Sequence, residues 1–203
     1  MQRISLVNVA HNVIRNRLHP GDIAIDATAG NGHDTVFLLE QVSPSGKVYG
    51  FDIQQAAIDS TWAKVESCSR TGESARSNAP LSLECLTLIH ASHAEMAEKI
   101  PTEYHGKINA IMFNLGYLPG SDKSIITRTE STLSALASAS RLLSGKGILT
   151  ILAYPGHPGG DQETSVVKNW CKQLDEEHFS VSIFYSTENK VSAPRLYVLD
   201  KLL

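Results

Sequence analysis

Aromatic residues make up only 6% of this 203-residue chain, so nothing marks a surface built for stacking. Cysteine is as sparse. Cys68, Cys85 and Cys171 are odd in number, far apart and in no C-x-x-C pair, which argues against a disulfide framework and a zinc knuckle and fits a reducing, cytoplasmic compartment. No apolar run approaches the length of a membrane span, and the N-terminus lacks the continuous apolar core of a signal peptide, so no membrane partner is expected. An excess of basic charge is also missing: 18 Lys and Arg stand against 21 Asp and Glu, a net charge of −3. A nucleic-acid partner would have to meet a local basic patch, for which Lys123, Arg128, Arg141, Lys146 and Arg195 are candidates, although each alone reads as a solvated surface residue. What remains is an ordinary soluble composition, 42% hydrophobic and 19% charged. The length suits one domain over residues 1–203 that buries roughly 70% of its unfolded surface.

One further absence is informative. The apolar Ile23-Ala24-Ile25 runs into Asp26-Ala27-Thr28-Ala29-Gly30-Asn31-Gly32-His33-Asp34-Thr35, and the apolar Val36-Phe37-Leu38-Leu39 follows. A strand, a turn with two glycines and a helix put backbone N–H groups at a crevice, as nucleotide sites require. A dinucleotide loop wants a third glycine for close helix packing, and Thr35 occupies that position. Asp26 would also set a carboxylate near a diphosphate, whereas it suits a cation. The pattern therefore favours S-adenosyl-L-methionine over a nicotinamide dinucleotide. Val48-Tyr49-Gly50-Phe51-Asp52 reads as the next strand, ending in an acid placed to hold both ribose hydroxyls or to cap the following helix.

In chain order, residues 2 to 18 carry Leu6, Ala10, Val13 and Ile14 on one helical face, closed by His19-Pro20-Gly21, and His11 on that helix reads as a surface or packing residue. A helix over 33–41, a strand over 47–52 and a helix over 55–65 come next. Residues 66–80, polar and rich in Ser, Gly and Asn, read as an exposed loop. A strand over 81–89 leads to His90 and His93, which lack a third ligand for a metal. Residues 108–113 form a strand that delivers Asn114-Leu115-Gly116-Tyr117 to the carboxyl edge, where an open α/β sheet keeps its chemistry. A helix over 124–143, a strand over 147–153, the loop Tyr154-Pro155-Gly156-His157-Pro158-Gly159-Gly160 and a helix over 161–174 follow. Strands over 181–186 and 195–202 are joined too closely for a crossover helix, so they pair antiparallel. This is the α/β, Rossmann-like pattern of class I methyltransferases: a mostly parallel seven-stranded sheet with a C-terminal antiparallel hairpin and an N-terminal helix. Fold and cofactor loop leave the acceptor open between tRNA, rRNA and a small amine, and leave open a non-catalytic binding module.

D-A-T-A-G-N-G-H-D-T, F-D-I-Q, F-N-L-G-Y-L-P-G-S-D-K, Y-P-G-H-P-G-G with Glu163 following, and A-P-R-L together resemble the MnmM (YtqB-like) tRNA methyltransferase family of bacteria and plant organelles, formerly labelled as rRNA methylases. The likeness spans nearly the whole chain, apart from the polar insert 66–80, which is longer than the family pattern. It implies methylation, by S-adenosyl-L-methionine, of the aminomethyl nitrogen of 5-aminomethyl-2-thiouridine at the wobble position in the tRNA anticodon arm. Asp26, Ala27, Gly30, Asn31, Gly32 and Asp34 would then carry the methionine end of the cofactor, with Asp52, Ile53 and Gln54 on its ribose and adenine. Ser92 and His93 would approach the adenine side or the acceptor mouth. Asn114 and Tyr117, with Leu115 and Gly116, match the acceptor motif, and Tyr154, His157 and Glu163 would complete the pocket. The resemblance implies no metal, and a homodimer pooling two basic patches is compatible with it. Asn114 is expected to accept amine hydrogens and aim the lone pair, Tyr117 to pack on the base, and His93 or His157 to take the proton.

Overall fold

The computed structural model describes residues 5–71, 81–116, 126–156, 158–187 and 192–203. Seven strands form one sheet: β1 (Ile23–Asp26), β2 (Lys47–Asp52), β3 (Leu86–His90), β4 (Ile108–Asn114), β5 (Leu143–Ala153), β6 (Phe179–Tyr185) and β7 (Arg195–Lys201), in the order β3-β2-β1-β4-β5-β7-β6. The first five run parallel, while β7 inserts antiparallel between β5 and β6. The order reverses at β1 and β4, so a crevice opens over their carboxyl ends. The expected class I methyltransferase architecture is therefore present, hairpin included.

The helices are α1 (Leu6–Arg15), α2 (His33–Val42), α3 (Gln55–Thr71), α4 (Met96–Lys99), α5 (Thr129–Leu142) and α6 (Gly160–Lys172). Central strands are apolar on both faces because both are covered. Ile111, Phe113, Leu149, Ile151, Tyr197 and Leu199 pack toward Met96, Leu136, Ala139 and Val167 of α4, α5 and α6. Their neighbours Ala110, Met112, Ile148, Leu152, Leu196 and Val198 pack on the other face toward Leu6, Ile14, Phe37, Leu38 and Val65 of α1, α2 and α3. The three-layer sandwich follows from this period-2 alternation.

Several boundaries differ from the sequence expectation. α1 starts at Leu6 rather than residue 2, capped by Ser5, whose side chain accepts from Asn8 N–H, and ends at Arg15 rather than 18. α5 starts at Thr129 rather than 124, because Arg128 before it is extended. The helix expected to stop near Val65 continues to Thr71, because Arg70 pairs with Glu66 one turn back at 3.2 Å and Ser69 Oγ donates to Leu81 O at 2.9 Å. Residues 72–80 of the insert lie outside the described residues. The strand expected from Leu81 begins at Leu86, after a 3-10 turn over Leu83–Cys85. The fifth strand begins at Leu143 rather than Gly147, with a register shift against β4 and Lys146 at φ 69°, since an irregularity absorbs the Ser-Gly-Lys segment that reads as a helix stop.

Candidate functional site

β1 ends at Asp26, whose carboxylate is wholly buried under the turn it starts. Thr28 N–H donates to Oδ1 at 3.1 Å and Thr35 Oγ donates to Oδ2 at 2.6 Å. Burial, reinforced by Asp34, pushes this carboxyl up from 3.8 to about 7. Thr35, standing where a dinucleotide loop has glycine, is thus the hydroxyl that satisfies Asp26. Gly30 and Gly32 take φ 53° and 77°, and a Cβ on Gly32 would sit 2.9 Å from Thr61 Cα, so α3 packs against the turn only where there is no side chain.

The turn is tied to β2 through its carboxylate. Gly30 N–H donates to Asp52 Oδ2 at 3.0 Å and Gln54 N–H to Oδ1 at 2.9 Å. A carboxylate accepts about four hydrogen bonds, so capacity for a pair of hydroxyls is left. Ser92 caps its own turn through a bond from Ala94 N–H at 3.2 Å. His90 and His93 diverge: His90 Nε2 donates to Ile53 O at 2.9 Å, and the buried His93 holds Nδ1 3.3 Å from Ala27 O. That bond assigns the proton to Nδ1, leaving Nε2 an acceptor that meets no partner among the described residues. Burial holds the His93 ring below its ordinary value of 6.5.

At the end of β4, Asn114 N–H donates to Thr28 Oγ at 2.8 Å, joining this strand to the glycine turn, while the side-chain amide has no partner among the described residues. The next residues are held by a relay: Gly116 N–H donates to Thr127 Oγ at 3.0 Å, and Thr127 and Thr132 each donate to the buried Glu163 at 2.7 Å. Tyr154, at the end of β5, is raised above its usual phenol value by burial and then by Asp34.

These ends enclose one cleft of about 680 Å³. Of the expected residues, Ala27, Gly30, Asn31, Asp34, Asp52, Ile53, Gln54, Ser92, His93, Asn114, Leu115, Gly116 and Tyr154 line it. Asp26 and Gly32 lie behind its wall and shape it, and Glu163 supports it from beneath. Tyr117 and His157 fall outside the described residues. Thr28, Thr127, Ser131 and Pro194 also face the cleft without having been assigned a role in the sequence; Thr28 lies within the glycine-turn motif and Pro194 within A-P-R-L, while nothing signals Thr127 or Ser131. Arg128, one of the candidate basic residues, is on the wall as well. His11 is a packing residue as expected, and it also bonds Asp34. No helix among the described residues is long and apolar enough to cross a membrane, and no cluster of three metal-ligating side chains occurs among them.

The cleft fits a sulfonium nucleoside: a glycine cradle, an acid with spare acceptor capacity at the ribose position, and an apolar rim of Ile53 and Phe51 for a base. Comparison with known proteins gives the same picture. The family model described as "Putative rRNA methylase" matches residues 48–200. The chloroplastic tRNA (mnm(5)s(2)U34)-methyltransferase of Arabidopsis thaliana is 39% identical over 98% of this chain and 70% of its own length. A crystal structure from Clostridium thermocellum carrying the family's description superposes with a TM-score of 0.87 at 34% identity, over all of both chains. SMU.1697c of Streptococcus mutans, solved in complex with S-adenosylhomocysteine, superposes with a TM-score of 0.81 at 33% identity, over 99% of this chain and all of the other.

Proposed function

The chain belongs to the rRNA methylase family defined by that match, and from this premise we propose that it methylates tRNA at the wobble uridine, using S-adenosyl-L-methionine. The acceptor is the aminomethyl nitrogen of 5-aminomethyl-(2-thio)uridine, and the product its methylaminomethyl form. The observation that carries the reading is the Asn114 amide at the tip of β4, without a side-chain partner among the described residues and facing the same cleft as the glycine turn and Asp52. The Arabidopsis relative, a tRNA (mnm(5)s(2)U34)-methyltransferase, supports the choice of acceptor.

Bound there, the cofactor supplies a methyl group already activated by its positive sulfur. The protein's task is alignment, which needs no covalent intermediate. Asp52 holds the ribose hydroxyls beside Ile53 and Gln54. Ala27, Gly30, Asn31 and Asp34 surround the methionine end, with Asp26 and Gly32 fixing the turn from behind. Ser92 and His93 close the base side. Asn114 Oδ1 accepts an amine hydrogen and directs the nitrogen lone pair, because a neutral amine and not an ammonium is the nucleophile. His93 lines the cleft as a neutral ring, but burial disfavours its imidazolium and makes it a weaker base, so water serves as well to take the released proton. Tyr117 and His157 retain their assigned roles on the base and in the loop.

Arg128 supplies a cation for the anticodon arm at the cleft rim. Residues 1–203 act as a single domain, and pairing of two copies is supported by exposed Val181, Ile183 and Tyr185 on edge strand β6. The test is an assay of the purified chain with radiolabelled methyl donor and tRNA lacking the terminal methyl. Label recovered in methylaminomethyl-thiouridine supports the reading. Label in rRNA or a small amine only, or donor binding without transfer, overturns it.

A further inference from the structure

The N-terminal helix α1 has no part in the chemistry described so far, yet one of its side chains reaches the cleft wall. His11 lies flat on Phe37 of α2, with ring centroids 3.9 Å apart and planes 2° from parallel. Arg15, one turn further along α1, sits over the same Phe37 ring at 5.4 Å. Held in this way, His11 Nε2 is 2.6 Å from Asp34 Oδ1, with the two side chains 19% and 11% exposed. The other Asp34 oxygen has no partner among the described residues, and Asp34 faces the cleft. A small void beneath it is shared with Asn114 and with Val7 and Ala10 of α1, so helix, carboxylate and acceptor-side amide meet at one place.

The charged and titratable groups around Asp34 are few. Asp26 lies below it at the end of β1, Tyr154 stands at the end of β5, and Arg15 is engaged with Phe37 and Asn12. His11 is therefore the group that fixes the carboxylate. A largely buried carboxylate with one oxygen pinned and the other facing a cleft is matched to an ammonium ion, which brings opposite charge and donors in one group.

We propose that His11 is a positioning residue, holding Asp34 so that its open oxygen receives a primary aliphatic ammonium or amine group of the bound ligand. That chemistry is shared by the methionine end of the donor and by the aminomethyl acceptor, and the acceptor arm rests on the methyl-transfer reading above. The test separates the two sources. His11→Phe keeps the stack on Phe37 and removes the N–H, while His11→Gln returns a donor. Calorimetric titration with S-adenosylhomocysteine reads the first arm, and steady-state kinetics with tRNA lacking the terminal methyl reads the second.

If the donor's ammonium is the partner, His11→Phe weakens S-adenosylhomocysteine about tenfold. If the acceptor's amine is, that affinity holds and kcat/KM for tRNA falls about tenfold. In both cases Asp34→Asn moves the same parameter, the double variant is no worse than Asp34→Asn, and His11→Gln recovers most of the loss. Wild-type values of both parameters in His11→Phe, or a loss that adds fully to that of Asp34→Asn, overturn the proposal. Should the wild-type chain bind S-adenosylhomocysteine but methylate no tRNA, the functional reading fails and the titration alone decides the role of His11.

Discussion

At the scale of single residues, the site separates groups that touch ligand from groups that hold the wall. On the proposed reading, Asn114, which lines the cleft, is in the first set. Asn114→Ala is expected to lower kcat on tRNA by roughly a hundredfold, since alignment of the nucleophile is lost. Calorimetry should leave the affinity for S-adenosylhomocysteine within about twofold; unchanged turnover would remove Asn114 from the mechanism. Asp26 is in the second set, and its burial has a consequence for stability. Its carboxyl titrates near 7 in the folded chain and near 3.8 when unfolded. Below pH 4 both states keep the proton. As pH rises toward 7 the unfolded chain releases a proton that the folded chain retains, so unfolding becomes easier and the contribution is lost by about pH 7. Asp26→Asn keeps the acceptor for Thr28 N–H and cannot ionise. Its melting temperature should exceed that of wild type by on the order of 5 °C at pH 8, with the gap narrowing toward pH 4.

At the scale of elements, α5 and α6 are joined through one buried carboxylate. Glu163 is 3% exposed and receives the hydroxyls of Thr127 and Thr132, and Thr127 in turn receives Gly116 N–H just beyond the end of β4. Glu163→Ala strands the buried Thr132 hydroxyl and frees the half-buried Thr127 hydroxyl, and should cost about 1–3 kcal/mol in urea unfolding. Because the relay ends at Gly116, turnover should fall more than donor affinity, and Glu163→Gln should recover part of both losses. Equal stability of wild type and Glu163→Ala would show that the relay carries no strain-bearing load. The extension of α3 to Thr71 is an element-scale lesson of another kind: the Ser-rich composition of 66–71 favours a loop, and a Glu66–Arg70 pair with a tertiary contact to Leu81 outweighs it.

At the scale of the whole molecule, a cleft formed by the ends of β1, β2, β4 and β5 couples cofactor binding to the fold. S-adenosylhomocysteine at a hundred times its Kd should stabilise the chain by about 2.7 kcal/mol, or roughly 5–10 °C in melting temperature. A chain whose melting temperature does not respond lacks the site. The net charge of −3 sets a second expectation. If tRNA is met by the few basic residues at the cleft rim, of which Arg128 is one, few phosphates are neutralised and tRNA affinity should depend only weakly on salt, with a log–log slope of about −1 to −3 in a titration from low to physiological ionic strength.

Sequence alone determined what depends on near neighbours. Short apolar runs separated by helical segments required a parallel sheet covered on both faces, the short link between the last two strands required their antiparallel pairing, and the strand-glycine-helix turn with an acid at the next strand end required a nucleoside site that favours a cation. Each of these is a constraint within about thirty residues, and such constraints are written in order along the chain. Only the tertiary structure decided that Thr35 satisfies Asp26, that Glu163 works behind the wall rather than on it, and that α1 brings His11 to Asp34 across 23 positions. The reason is that hydrogen bonds between distant elements depend on how whole helices settle on the sheet, and that settling is governed by shape and burial summed over both faces.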